Sequence, residues 1–247
     1  MPFSSNQHKK VRGLIRQAPS PHLAQNNLSR LLDSGASKAL EKIPNGELPR
    51  LFRLLGGSSF LSDILIRQKD HWPETFLRQI NVAQKSAAQH SKELQLATQS
   101  APTFVEFCAA LRRHKHSEYL RIGARDLLPS VGMEETVREL SALADASLEA
   151  AYRYCREEVE KDYGPLILPG PNEPNRFAIL GMGKLGGGEL NFSSDVDVIF
   201  LYESDEGESA GGLKGKVSPR EFFSAVGKRS FRRWEMSPKT ASSSVST

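Results

Sequence analysis

The spacing of apolar positions divides the chain into two kinds of text. Over residues 21–163 apolar side chains recur every three or four positions, the period of an amphipathic helix. Leu23, Leu28, Leu31 and Leu32 form one stripe, and Leu40 and Ile43 continue it beyond the Ser34-Gly35 break. Leu48, Leu51, Leu54 and Leu55 predict a helix ended by Gly56-Gly57. Phe60, Leu61, Ile64 and Leu65 predict another, and residues 72–80 a further one. Residues 83–100, rich in Ala, Gln, Ser and Lys, are only weakly amphipathic and read as loosely packed. The strongest helical predictions are 102–128 and 133–163, the second carried by Leu140, Leu143, Ala144, Leu148, Ala151 and Tyr152. The polar, proline-bearing residues 1–20 read as a flexible arm.

Past Tyr163 the pattern changes. Gly164-Pro165, Pro169-Gly170-Pro171 and Pro174 read as a linker. Residues 176–180 then form a buried strand closed by Gly181, and residues 196–202 a second strand. Residues 203–216 read as an acidic, glycine-rich mobile connection, and Ser218-Pro219 carries the cap and early proline of a helix start. The expected organisation is an arm over 1–20, a helical region over 21–165, a partial α/β unit over 166–228 and a disordered tail over 229–247. The fold class is α+β.

Composition narrows the function. Apolar residues make up 38% of 247, so the chain is globular and not disordered throughout. No apolar run approaches the roughly 18 residues of a membrane span, and the first residues lack the apolar core of a secretory signal. Cys108 and Cys155, far apart in helical text, make neither a disulfide framework nor a zinc site and fit a reducing cytoplasm. The net charge of +4 lies wholly in the last twenty residues, where Lys228, Arg229, Arg232, Arg233 and Lys239 face Glu235 alone. A basic stripe for nucleic acid is therefore not expected. His114 and His116 flank Lys115 on a helix, where i and i+2 diverge, so they read as a solvated basic face and not as metal ligands.

The chemistry concentrates between the two strands. Gly181-Met-Gly183-Lys-Leu-Gly186 matches a dinucleotide fingerprint in form, but only a short segment separates the strands, too little for a parallel crossover. Ser193-Ser-Asp195-Val-Asp197 is more telling, because i and i+2 on a strand face one side and bring two carboxylates to one point. Such a pair repels itself unless a cation lies between, and a hard oxygen-liganded ion such as Mg²⁺ suits it. The plainer alternative is two exposed edge aspartates. The glycine-rich turn before them, with Lys184, offers backbone N–H groups and a cation for phosphate. A phosphate cradle beside a metal-binding carboxylate pair is the apparatus of nucleotidyl or phosphoryl transfer.

The stretch from Phe177 through Gly181-Met-Gly-Lys-Leu-Gly-Gly-Gly-Glu-Leu-Asn-Phe-Ser-Ser-Asp-Val-Asp197 to Tyr202 resembles the signature of the bacterial bifunctional glutamine synthetase adenylyltransferase/adenylyl-removing family. Tyr119-Leu-Arg-Ile-Gly-Ala-Arg-Asp-Leu-Leu128 and Glu134-Glu-Thr-Val-Arg-Glu-Leu-Ser-Ala-Leu-Ala-Asp145 are similar to text upstream of that signature. The wording and position match the first, adenylyl-removing copy of two DNA-polymerase-β-like nucleotidyltransferase domains, a mixed sheet with helices. The resemblance implies a nucleotide-binding enzyme in which orthophosphate removes AMP, as ADP, from a tyrosine of glutamine synthetase, and so regulates nitrogen assimilation. It implies Asp195 and Asp197 as catalytic Mg²⁺ ligands, Gly183, Lys184, Gly186 and Gly187 as phosphate and nucleotide contacts, and Ser194 as a residue setting the loop. A PII-type regulatory protein is implied as a partner of the full-length enzyme.

One family feature is missing. A third carboxylate, carried in a phrase like Phe-Arg-Val-Asp-Leu-Arg, has no counterpart in this sequence. From Arg229 the apolar period fades, and regrouping the codons after Arg233 permits a family-like string that reaches Phe-Arg-Val-Asp. The residues beyond about Lys228 therefore read as a frameshifted tail. On that reading the chain is a truncated and inactive domain, at most a module that binds a partner.

Overall fold

The computed structural model describes residues 5–36, 39–80, 82–167 and 175–234. The helices are α1 (Ser5–Gln17), α2 (Pro21–Leu31), α3 (Leu48–Gly57), α4 (Ser59–Ile66), α5 (Trp72–Gln79), α6 (Ala87–Thr98), α7 (Phe104–Asp126) and α8 (Met133–Tyr163). After them come β1 (Leu166–Ile167), β2 (Phe177–Gly181), the single turn α9 (Gly183–Gly186), β3 (Val198–Tyr202), β4 (Glu208–Ser209) and α10 (Pro219–Trp234). No described helix is long and apolar enough to cross a membrane. The chain forms two compact units, Met1–Lys85 with Arg113–Leu140 and Ser86–Arg112 with Ser141–Thr247. That division differs from a boundary near 165, because the long helices α7 and α8 each contribute to both units.

The first unit is all helical. Leu31, Leu51, Leu55, Leu65, Trp72 and Phe76 have no exposed surface, and the leucine stripes read from the sequence are its core. Capping defines the helix starts: Ser20 accepts from Leu23 N at 3.3 Å and Ser58 from Leu61 N at 3.2 Å. Residues 5–17, expected within a flexible arm, are helical instead. Val11, Leu14 and Ile15, at helical spacing, pack on the core and supply the burial that holds them.

This unit also buries an ion network. The Arg121 guanidinium, fully buried, donates to Glu118 Oε2 at 2.8 and 2.9 Å, to Glu139 Oε1 at 2.6 Å and to the Ala83 carbonyl at 3.0 Å. Lys85 Nζ reaches Glu118 at 2.7 Å, Arg125 reaches Glu139 at 3.1 Å and also pairs with Glu135, and Thr136 donates to Asp126 at 2.7 Å. The two family-like stretches, 119–128 and 134–145, thus carry the charges that join α7 to α8. Lys115 departs from the expected solvated face, since its ammonium lies 5.3 Å from the centre of the Tyr119 ring and burial pushes its pKa down.

The second unit packs α10 and the end of α8 against the β2–β3 pair. Cys155, Val159, Phe222, Phe223 and Val226 are its buried centre. Phe177 stacks on Tyr152 at 4.8 Å and on Phe223 at 5.0 Å. The segment read as loosely packed holds α6, started by a capping box between Ser86 and Gln89, with His90 and Leu94 fully buried. The strands pair antiparallel, with Phe177 opposite Tyr202 and Gly181 opposite Val198. This agrees with a connection too short for a parallel crossover. Among the described residues both sheets, β2–β3 and β1–β4, are antiparallel and not mixed.

Residues 203–216 are also not a free connection. Ala210 N donates to Pro165 O at 2.8 Å, Gly211 N to Tyr163 O at 2.9 Å and Lys214 N to Asp162 O at 2.7 Å. A Cβ at Gly212 would lie 2.7 Å from Asp162 O, so glycine here serves close backbone approach. Asp162 also receives the side chains of Arg229 and Lys214, and Arg229 first, then Lys214, hold its carboxyl below the usual range. Residues 229–234, expected within the tail, are helical instead, because α10 continues to Trp234. The Arg229 contact with Asp162 ties its last turns to the end of α8. Residues 235–247, the rest of that expected tail, lie outside the described residues.

Candidate active site

The glycine turn is built by contact between its own ends. A Cβ on Gly186 would stand 2.5 Å from the Gly181 carbonyl oxygen, so the chain can fold back at this point only without a side chain. Gly183 has φ +53°, a left-handed conformation that glycine takes at no steric cost. Leu185, buried, pins α9 beneath the turn.

The turn uses most of its own amides. Gly186 N donates to Met182 O at 3.2 Å, Gly187 N to Gly183 O at 3.1 Å, Gly188 N to Leu185 O at 3.0 Å and Glu189 N to Lys184 O at 2.7 Å. The Gly186 and Gly187 amides, two of the expected phosphate contacts, thus already bond carbonyls inside the turn. The N–H groups of Gly183, Lys184 and Leu185 precede the first intrahelical bond and so are the ones open to an anion. Lys184 is exposed beside them.

The returning segment presents the carboxylates. Asn191 Oδ1 accepts from Ser193 N at 3.1 Å and from Ser194 Oγ at 2.7 Å, and Ser194 N donates to Asn191 O at 3.3 Å. Ser194 thus bonds Asn191 within the loop through both its hydroxyl and its amide. The strand begins at Val198, not Val196, so both aspartates precede it. Met182 N donates to Asp197 O at 2.8 Å, which prolongs the ladder by one rung. Exposure also alternates back along the chain: Asp195, Asp197, Ile199 and Leu201 are exposed, while Val196, Val198, Phe200 and Tyr202 are half-buried. Among the described residues, no third His, Cys, Asp or Glu joins this pair within ligand distance.

A further residue reaches the loop from elsewhere. The Leu190 amide donates to Ser141 Oγ on α8 at 3.1 Å, with Leu190 and Ser141 both buried. No sequence signal marks Ser141, a serine within a long helix and 49 positions upstream.

A glutamate-ammonia ligase adenylyltransferase family model matches residues 48–243. The match continues past Lys228, where the sequence pattern suggests a change of frame. A bifunctional glutamine synthetase adenylyltransferase/adenylyl-removing enzyme of Pseudomonas aeruginosa is 33% identical over 198 residues, covering 80% of this chain and 20% of the relative. The protein of that name from Shewanella oneidensis is 30% identical over 230 residues, 93% of this chain and 23% of the relative. The one from Burkholderia pseudomallei is 40% identical over 120 residues, 49% of this chain and 13% of the relative. The chain spans roughly a fifth of the length of the first two.

Proposed function

The chain belongs to the glutamate-ammonia ligase adenylyltransferase family, and on that premise we propose that it is an adenylyl-removing nucleotidyltransferase domain acting on glutamine synthetase. The supporting observation is the same-face pair Asp195 and Asp197, one ladder rung from a turn with open amides and Lys184. In this reading orthophosphate attacks the phosphorus of tyrosine-bound AMP. A phosphate–phosphorus bond forms, the tyrosine oxygen–phosphorus bond breaks, and ADP and the free tyrosine leave. Lys184 and the Gly183–Leu185 amides hold phosphate oxygens, with Gly186 and Gly187 shaping the turn.

Two exposed hard-oxygen donors from one segment fit Mg²⁺, which keeps most of its sites for water and phosphate. Asp195 and Asp197 would hold such an ion, which would supply positive charge to the phosphate of the adenylyl group in transfer. Removing AMP would return glutamine synthetase to its unmodified form and so regulate nitrogen use. The free cysteines Cys108 and Cys155 suit a cytoplasmic setting.

The two-carboxylate count favours a second reading, in which this chain by itself binds a partner without turning over. Release of ADP from adenylylated glutamine synthetase, with and without phosphate, decides between them. Mg²⁺ should also raise the melting temperature by mass action, and Asp195→Asn with Asp197→Asn should abolish that rise. An equal rise in the double variant would remove the metal from the site.

A further inference from the structure

We infer that Ser141 is a positioning residue for the carboxylate pair, acting through the amide of Leu190. This rests on the metal reading above. From Met182 to Asp197 the loop closes on itself: the Met182 amide meets the Asp197 carbonyl at 2.8 Å, and the Asn191 side chain ties down Ser193 and Ser194. Such a loop keeps its internal shape yet needs a fixed point outside itself. Ser141 supplies one from a 31-residue helix. Its hydroxyl accepts from Leu190 N at 3.1 Å, and burial of both residues keeps water from replacing it. Leu190 immediately precedes Asn191, whose carbonyl and side chain orient Ser194, the neighbour of Asp195. A shift at Leu190 therefore passes to the first carboxylate, while Asp197 stays held by the Met182 rung. The two oxygens then separate, and an ion that needs both is bound less well.

Ser141→Thr and Ser141→Val differ by a hydroxyl against a methyl, with nearly equal helix propensity. Two measurements on the 247-residue chain separate the possibilities: amide hydrogen exchange at Leu190 without metal, and Mn²⁺ affinity by electron paramagnetic resonance. The Val variant should exchange faster at Leu190 and bind Mn²⁺ about fivefold more weakly, as the loss of one buried neutral hydrogen bond implies. The Thr variant should restore both. Should the Val variant fail to fold, Ser141→Ala against the native serine carries the same comparison. Faster exchange with unchanged Mn²⁺ affinity would show a merely structural serine and overturn the inference. Absence of Mn²⁺ binding by the native chain would overturn the metal reading and this inference together. Binding by the native chain that Asp195→Asn abolishes and Ser141→Val leaves untouched would overturn this inference alone.

Discussion

Arg121→Met should be among the most damaging substitutions in the helical unit. It removes a guanidinium that donates to Glu118 at 2.8 Å and to Glu139 at 2.6 Å, all three side chains being at most 2% exposed. Lys85 and Arg125 then face Glu118, Glu135 and Glu139, leaving the network one negative charge in excess and the two buried carboxylates, Glu118 and Glu139, without their shared donor. Breaking a buried ionic network by removing one partner costs about 3–5 kcal/mol, and methionine keeps most of the volume. With a urea slope of about 2–3 kcal/mol per molar, the helical signal at 222 nm should lose its midpoint by about 1–2 M. The pH dependence carries a definite sign. Burial works to raise the Glu118 pKa, but hydrogen bonds and charge from Lys85 and Arg121 prevail and hold it below the ordinary value. A carboxyl depressed by folding stabilises above its unfolded pKa, and that stabilisation fades as acid protonates it. Without Arg121 burial gains ground and protonation becomes a relief. The deficit of the variant should therefore be largest near neutrality and shrink toward acid. Adding Glu118→Gln restores the charge balance and should recover part of the loss at neutral pH. A variant within about 1 kcal/mol of the native chain would refute the reasoning. So would a deficit that grows on acidification, or a double variant no better than the single one.

Gly186→Ala should lower the melting temperature and abolish Mn²⁺ binding, because its Cβ would meet the Gly181 oxygen at 2.5 Å. Gly187→Ala, whose nearest neighbours lie 3.7 Å away, should be tolerated in both measurements. Asp162→Ala should expose residues 203–216 to trypsin at Lys214, since it releases both Lys214 and Arg229. Digestion followed by mass spectrometry reads that cut, and equal resistance in the variant would show that the backbone bonds suffice alone.

Local periodicity made α8 and much of the helical core legible, because their apolar faces are written within single segments. α1 was hidden by its polar context, although Val11, Leu14 and Ile15 carry the right spacing. The connection over 203–216 misleads for a different reason. Glycine is the residue of both mobility and close approach, and only the distance from Gly212 to Asp162 O distinguishes them. The ion network is still less readable. Glu118, Arg121 and Glu139 look like the charged face of any exposed helix, and their burial becomes visible only when α7 lies against α8.

The site shows the same limit at smaller scale. Its proposed turn and carboxylates lie in one short run of sequence, so residue type and spacing alone suggest them. The division of labour among the glycines is another matter. A Gly-rich phrase cannot say which N–H groups remain open, because that depends on where the first helical bond closes, here from Gly186 N to Met182 O. Once that bond is placed, Gly186 is the point where the chain folds back on Gly181, and the amides of Gly183 through Leu185 stand ahead of the first helical bond. The carboxylates behave in the opposite way. They stand ahead of the strand, yet the Met182–Asp197 rung and the alternation of exposure carry the strand's pattern back past its start. On the proposed metal reading, the pairing depends on backbone bonds at Met182 and Leu190, not on strand membership. A substitution that spares both aspartates but frees either amide should impair ion binding as surely as loss of a ligand.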